Sequence, residues 1–595
     1  MSGRLHKKPV TKAGRRRGAV RRTSPTGRFA FMLVIMALLL VAVAVRLTCI
    51  QVLDGPALAK AAEAQRTRDI TLTARRGSIF DREGEPLAVT TDAKTVYAVP
   101  MSVKDPSGVA KQLARVLGGT EAAYRKKLAG DSSFVYIARK VEVSKAEELE
   151  KLDLAGIAFV DDSRRVYPSN ALASQVLGFV GIDDNGLAGL EKYYDQTLSG
   201  ENGRLVVQRG RTGTPIPGGV TYEEQPVDGQ DVTLTIDKDI QYQCDVELAK
   251  AVKQWGAKSG SVVVMNPNNG EILAMSSYPT FDPNKFSEAD PDSFRNQPIV
   301  DAYEPGSTLK SITAASVMEA GLFTPDSMFD LPPTLTIGGR TIHESHDRPE
   351  VHWSLTDIVT ESSNVGAVKL GLALGEDGLY KYFSDFGLTE KTGVDFPGEA
   401  QGYLPSPALW SASSIANIPF GQGISVTGLQ LARALSAIAN GGELVTPHFL
   451  KSVSGSSETT TWPTTRSIST KTASMTRSVL RNVVVKGTGV SANIPGYDVA
   501  GKTGTAQVPR TDGKAGYKSG AYIASFSGFF PAGDPQILIL VRIDEPSLGY
   551  YAASVAAPTF KSIATFCIGH LKMAPTKSST STTSAVTDGS QDSGQ

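Results

Sequence analysis

The stretch FAFMLVIMALLLVAVAV, Phe29 to Val45, carries no charged residue and constrains the chain more than any other segment. A helix that is apolar on every side must be buried in a large core or in lipid. With the following RLTCI, in which Arg46 can snorkel to an interface, it reaches about 20 residues, enough to cross a hydrocarbon layer once. Ahead of it, MSGRLHKKPVTKAGRRRGAVRRTSPTGR is rich in Lys and Arg and has no acidic residue. Such a flank stays cytoplasmic, so the bulk of the chain is expected outside. Beside an apolar span these cations suit anionic lipid better than nucleic acid. Ala42 and Ala44 form the Ala-x-Ala of a signal peptide. The apolar run exceeds a signal core, however, and no polar breaker precedes a cut, so an uncleaved anchor is expected.

The 595 residues exceed one hydrophobic core and imply several domains. Hydrophobic residues make up 41% and charged residues 20%, a globular balance. Cys49, Cys244 and Cys567 are the only cysteines and give no disulfide framework. An exported chain this poor in cysteine fits a bacterial envelope. RRGSIFDREGEPLA turns at REGEP between two apolar pieces, a hairpin pattern. Residues 105–157 alternate small helical and strand pieces. DVTLTIDKDIQYQCDVELAKAVKQW predicts a strand, a turn and a helix, and the boundary of a new domain falls near residue 228. SGSVVVMNPNNGEILAMSSYP predicts a second hairpin around NPNNG. A helix-rich middle follows, then strands in YDVAGKTGTAQV, YIASFSGFFPA and PQILILVRIDEP, then a closing helix. Strands, helices and strands in that order predict an α+β fold around one antiparallel sheet. The Ser/Thr-rich end, 573–595, predicts a disordered tail.

In YEPGSTLKSITAASVMEAGL, Ser307 and Lys310 stand three apart at a predicted helix start and share one face. A serine hydroxyl needs a base to become a nucleophile, and a lysine serves once burial or a second cation strips its proton. It is the one Ser-x-x-Lys in the chain. Free backbone N–H groups at the helix start favour a developing oxyanion. In TESSNVGAVKLG, Ser362 and Asn364 offer a relay hydroxyl and an orienting amide. Each pattern by itself fits a capped helix equally well. Lys-Thr-Gly occurs twice. Residues 391–393 lie among turn formers, whereas 502–504 continue from YDVAG into TAQV with strand-like segments downstream. On a strand edge Lys502 and Thr503 offer a cation, a hydroxyl and an N–H to a carboxylate and a carbonyl. Gly504, without a side chain, lets a ligand or another backbone approach. The second triplet is therefore the candidate, and the first a turn.

Ser-x-x-Lys, Ser-x-Asn and Lys-Thr-Gly in this order resemble the motif trio of penicillin-binding proteins and class A β-lactamases. GQGISVTGLQLARALSAIANGGELVTPH and GKTGTAQ…SFSGFFPA resemble the transpeptidase domain of class B penicillin-binding proteins; RRGSIFDREGEPLA and VYPSNALASQVLGFVG resemble its pedestal. The resemblance covers about residues 29–570 and is nearest to the division-specific, FtsI-like branch. It implies a basic cytoplasmic tail (1–28), a transmembrane helix (29–50), a non-catalytic pedestal of the dimerisation type (51–228) and a transpeptidase domain (229–572). It also implies residue roles. Ser307 is the acylated nucleophile, Lys310 its base, and Ser362 and Asn364 relay a proton and position substrate. Lys502 acts with them, while Thr503, Gly504 and Thr505 bind substrate and the N–H groups of Ser307 and Thr505 hold the oxyanion. The implied partners are peptidoglycan stem peptides ending in D-Ala-D-Ala, β-lactams, a glycan polymerase of the shape-elongation-division-sporulation family and other divisome membrane proteins. No cofactor, metal or nucleic acid is implied. The implied place is the cell membrane, crossed once.

Ser363 stands where the β-lactamase pattern has Asp, and no Glu-x-x-x-Asn lies between the second and third motifs to supply a deacylating glutamate. Both disfavour a β-lactamase, and no glycosyltransferase domain precedes the pedestal. HESHDRPEVHW gathers His343, Glu344, His346, Asp347 and His352, but its spacing lacks a regular ligand set, and a metal is not expected. Asp81 and Arg82 are expected to serve the pedestal hairpin. Rival readings are an elongation- or sporulation-type transpeptidase, a scaffold for the polymerase, and a penicillin-sensing receptor, for which the cytoplasmic tail leaves little room.

Overall fold

The computed structural model describes residues 25–576 except 131, 133, 210–214, 457–459, 511 and 515. Most of the basic N-terminal segment and the Ser/Thr-rich end from 577 lie outside the described residues. The chain divides into two compact units. One holds the described residues up to Leu72 together with Gly203–Gln225; the other holds Thr73–Asn202 and the chain from Pro226 onward. The segment expected as a single pedestal, 51–228, therefore contributes to both.

In the first unit, Thr26–Leu53 is continuously helical over 28 residues, long and apolar enough to cross a membrane. Its large side chains, Phe31, Leu39 and Val43 among them, are exposed along its length. A second helix, Gly55–Arg66, leads into strand Thr67–Leu72. That strand pairs antiparallel with Gly203–Arg209, Ile70 opposite Leu205, and Gly203–Arg209 pairs in turn with Pro215–Glu224.

The second unit contains the rest of the segment expected as a pedestal and the C-terminal part of the chain. The hairpin read at REGEP forms between Ile79–Phe80 and Pro86–Ala98. Asp81 closes it: Oδ1 accepts from the N–H groups of Glu83 and Glu85, and Oδ2 from Lys238 N–H. Ile79–Phe80 also pairs in parallel with Val232–Leu234, which pairs with Leu450–Val453, so one sheet runs from the pedestal into the following domain. Beneath the hairpin, Glu191 is fully buried between two guanidiniums, 2.8 Å from Arg76 and 2.7 Å from Arg165. Buried charges persist only when paired and hydrogen-bonded in this way.

The C-terminal domain is built on a five-stranded antiparallel sheet in the order Ile272–Tyr278, Ser259–Met265, Ile537–Asp544, Tyr517–Phe530, Ala500–Pro509. Alternation along a strand sends its residues to opposite faces. Val262 and Val264 pack with Leu248 of helix Lys238–Gln254 and with Phe560 and Ile563 of helix Ala557–His570. Val263 and Met265 face the opposite core, with Ile312, Leu431 and Leu435. Both faces are covered, so Ile537–Asp544 is buried throughout; Ile537 to Val541 read as a continuous apolar run rather than an alternating one, and the buried Arg542 and Asp544 beyond it pair with each other. Helix Gly428–Ala439 starts with the box legible in Thr-x-x-Gln: Thr427 Oγ1 accepts from Gln430 N–H, and Gln430 Oε1 from Thr427 N–H. Cys244 and Cys567 lie in the same core as free thiols.

Candidate active site

Pro305 and Gly306 open the serine segment, and the helix expected to start there begins differently. Gly306–Leu309 is one turn of 3-10 helix, and the α-helix runs from Lys310 to Glu319. In a 3-10 turn positions three apart eclipse, so Ser307 and Lys310 are aligned more closely than on an α-helix. Gly306 sits at φ +55°, a left-handed conformation that glycine adopts without a Cβ penalty. Thr308 Oγ1 donates to Pro305 O at 2.7 Å and closes the turn.

The Ser-x-Asn segment joins two helices. Ser354 and Asp357 form a capping box that starts helix Leu355–Thr360. After it Ser362 takes φ +62°, the left-handed position that ends many helices and that usually goes to glycine. A serine held there against roughly 1–3 kcal/mol of strain points to function. The turn aims both its carbonyl and its hydroxyl at the lysines. Ser363 then caps helix Asn364–Asp385, its Oγ accepting from Gly366 N–H.

Lys310 is 1% exposed, and its Nζ donates to Ser362 O at 2.5 Å, Asn364 Oδ1 at 2.7 Å and Ser362 Oγ at 3.3 Å. Lys502, equally buried, donates to Ser362 Oγ at 3.0 Å and to Thr503 O and Oγ1 at 3.2 and 3.3 Å. Burial pushes Lys310 down to about 7, against the pull of the Glu344 charge. Burial, and after it repulsion from Lys310, holds Lys502 well below its ordinary value, with Glu361 opposing. An amine uncharged near neutrality is able to accept a proton.

Lys502, Thr503, Gly504 and Thr505 lie on edge strand Ala500–Pro509, paired on one side with Tyr517–Phe530. The other side runs against the serine turn. A Cβ on Gly504 would stand 2.9 Å from Pro305 O and 2.6 Å from Ser525 Oγ, so the close approach it permits is that of the chain itself. Ser307, Ser362, Asn364, Thr503 and Thr505 line one cleft of about 650 Å³. Thr505 Oγ1 accepts from Ala552 N–H, and Thr503 Oγ1 shares a hydrogen bond of 2.8 Å with Thr488. The first triplet lies elsewhere: Glu399 accepts from Thr392 N–H, Thr392 Oγ1 and Gly393 N–H and fixes it as a turn.

Three features of the cleft are absent from the sequence reading. Thr488 comes from a Gly-Thr-Gly in KGTGV, a signal present but overlooked. Tyr522, Tyr550 and Tyr551 form an aromatic wall in which Tyr522 stacks on Tyr550, Tyr551 tilts against Tyr550, and His346 stacks on Tyr551. Glu344, weighed above as a metal ligand, instead accepts hydrogen bonds from Ser363 Oγ and Asn364 N–H at 2.6 Å each. His352 meanwhile turns to Asp330.

Residues 260–565 match the family model of the penicillin-binding protein transpeptidase domain, and 71–234 that of the penicillin-binding protein dimerisation domain. The chain is 37% identical over 563 residues to stage V sporulation protein D of Bacillus subtilis, covering 92% of this chain and 86% of that one. It is 33% identical over 548 residues to peptidoglycan D,D-transpeptidase FtsI of Escherichia coli, covering 90% of each. Its fold is similar to the crystal structure of penicillin binding protein 3 from Mycobacterium tuberculosis complexed with ampicillin. There the TM-score is 0.69 at 30% identity, covering 86% of this chain and 98% of that one.

Proposed function

The chain belongs to the class B penicillin-binding proteins and is a peptidoglycan D,D-transpeptidase and penicillin target, and from that premise we propose which residues carry the reaction and where it takes place. Neutral Lys310 takes the Ser307 proton as Oγ attacks the carbonyl of the penultimate D-Ala in a stem peptide. The N–H groups of Ser307 and Thr505 hold the oxyanion. Ser362 passes a proton to the departing D-Ala amine, Asn364 orients the substrate amide, and Lys502, Thr503 and Thr505 face the terminal carboxylate. An amine on a second stem then attacks the ester, forms the cross-link and frees Ser307. A β-lactam follows the first half and stays on the serine. The observation that carries this reading is Ser362 Oγ lying within hydrogen-bond reach of both buried amines.

The same reading puts the N-terminus in the cytoplasm and the chain that follows the apolar helix outside, supported by the basic flank of that helix. A domain boundary near residue 228 belongs to it as well. Likeness to FtsI supports work at the division septum beside a glycan polymerase of the shape-elongation-division-sporulation family and other divisome membrane proteins. Likeness to stage V sporulation protein D supports a sporulation role as the second reading. A fluorescent fusion followed through growth and sporulation separates the two. Labelling with a fluorescent penicillin tests the chemistry: Ser307→Ala is expected to abolish it, and labelling that survives moves the nucleophile elsewhere.

A further inference from the structure

We propose that Glu344 is a positioning residue for this reaction, its carboxylate clamping Ser363 and Asn364 so that the Ser-x-Asn turn presents its acceptors to the base. The proposal rests on the reading of Lys310 as that base.

Glu344 lies between strands Arg340–His343 and Val351–Ser354, and its side chain is 7% exposed. Both oxygens are engaged. Oε1 accepts from Ser363 Oγ and from Arg348 Nη2, each at 2.6 Å, and Oε2 accepts from Asn364 N–H at 2.6 Å. A hydroxyl has one proton. Ser363 Oγ accepts from Gly366 N–H, so that proton is directed at Glu344 alone. Asn364 N–H is the first of helix Asn364–Asp385, where a carboxylate also meets the positive end of the helix dipole.

The neighbouring residue completes the clamp. Asn364 Nδ2 donates to His343 O at 2.9 Å, which turns Oδ1 toward Lys310 Nζ at 2.7 Å. A flipped amide would set an NH₂ against the amine. Glu344 is itself held from behind. The Arg348 guanidinium lies 5.0 Å over the Trp353 ring and donates to Leu331 O, contacts that need no substrate. With the carboxylate removed, Ser363 Oγ loses its acceptor and Asn364 N–H its partner, and the contacts to Gly366 and His343 alone restrain the strained turn at Ser362.

The carboxylate also adds a charge effect that a neutral clamp would lack. The charged groups facing Lys310 are Glu344 from this segment and Lys502 from the strand edge, and Lys502 in turn feels Glu361. Glu344 favours the protonated amine, so removing its charge moves the pH at which Lys310 becomes neutral downward.

The test measures second-order acylation rates with a fluorescent penicillin on the full-length membrane protein, from about pH 5 to about pH 9. Wild type, Glu344→Gln and Glu344→Asp are compared, with thermal unfolding of each. Glu344→Gln is expected to lower the plateau about 10- to 100-fold, the scale of a misplaced group, and to shift the acid limb to lower pH. Glu344→Asp keeps the charge on a shorter arm, so its plateau falls while its limb stays at the wild-type pH. A wild-type plateau in Glu344→Gln, or a lowered plateau with an unmoved limb, overturns the proposal. Should Glu344→Gln not fold, Glu344→Asp decides alone: a wild-type plateau there overturns it. Failure of wild type to label at Ser307 would instead overturn the catalytic reading.

Discussion

Lys310 and Lys502 aim their amines at one oxygen, Ser362 Oγ, which lies 3.3 Å from the first and 3.0 Å from the second. Two ammonium groups so placed repel through a poorly solvated space, and burial already disfavours each charge. The hydroxyl between them can accept from one and donate to the other. On the proposed mechanism, these three side chains supply a base and a proton relay.

Acylation by penicillin should rise with pH through about 7, where Lys310 loses its proton, and level off above it. Below that midpoint the rate should fall about tenfold per pH unit. Stopped-flow labelling across pH measures this. A flat profile would exclude Lys310 as the titrating base.

Lys310→Met should lose acylation by several orders of magnitude yet unfold at a higher temperature than wild type. The amine is pushed down from 10.5 to about 7 in the folded chain, so between these values the unfolded chain binds more protons and wild-type stability rises with pH. The methionine variant lacks this dependence. Its Tm advantage should be greatest at pH 7 and below and should shrink toward pH 10. Calorimetry at several pH values checks the sign.

Ser362→Gly and Ser362→Ala should both slow acylation about 10²- to 10⁴-fold, since both lose the shared hydroxyl. They should part in stability. Position 362 sits at φ +62°, where alanine keeps a penalty of about 1–2 kcal/mol that glycine avoids. Denaturant midpoints compare the two, and the glycine variant should be the more stable.

Gly504→Ala should damage the site through the backbone. Its Cβ would meet Pro305 O and Thr308 Cγ2 at 2.9 Å, forcing the strand edge away from the serine turn. Overpacking of this kind costs about 1–3 kcal/mol. Acylation should fall although no catalytic side chain has changed.

Glu191→Gln should destabilise the pedestal by about 3–5 kcal/mol, because it leaves the Arg165 guanidinium buried without its anion and Arg76 with Asp195 alone. Limited proteolysis should cut this variant first in the pedestal, while Ser307 still labels.

What the sequence disclosed and what it hid follow from distance along the chain. Ser307 and Lys310 are one turn apart, and the hairpin of Ser259–Met265 with Ile272–Tyr278 needs only a short turn, so local rules reach both. The choice between two Lys-Thr-Gly triplets was legible because only 502–504 stands among strand formers. Glu344 and Tyr551 reach the cleft from irregular segments without periodicity, and no local pattern marks them, whereas Thr488 is marked only by the short Gly-Thr-Gly around it. The parallel pairing of Ile79–Phe80 with Val232–Leu234 joins segments some 150 residues apart, beyond any short-range signal.

The order of strands in the large sheet carries a consequence for biogenesis. Ser259–Met265 is flanked by Ile272–Tyr278 and by Ile537–Asp544, and the edge bearing Lys502 joins the rest only through Tyr517–Phe530 and that late strand. On the proposed topology, a nascent polypeptide whose last segments are not yet delivered has an incomplete scaffold and no assembled cleft. Truncation upstream of residue 537 should therefore abolish activity even though all three motifs have been made.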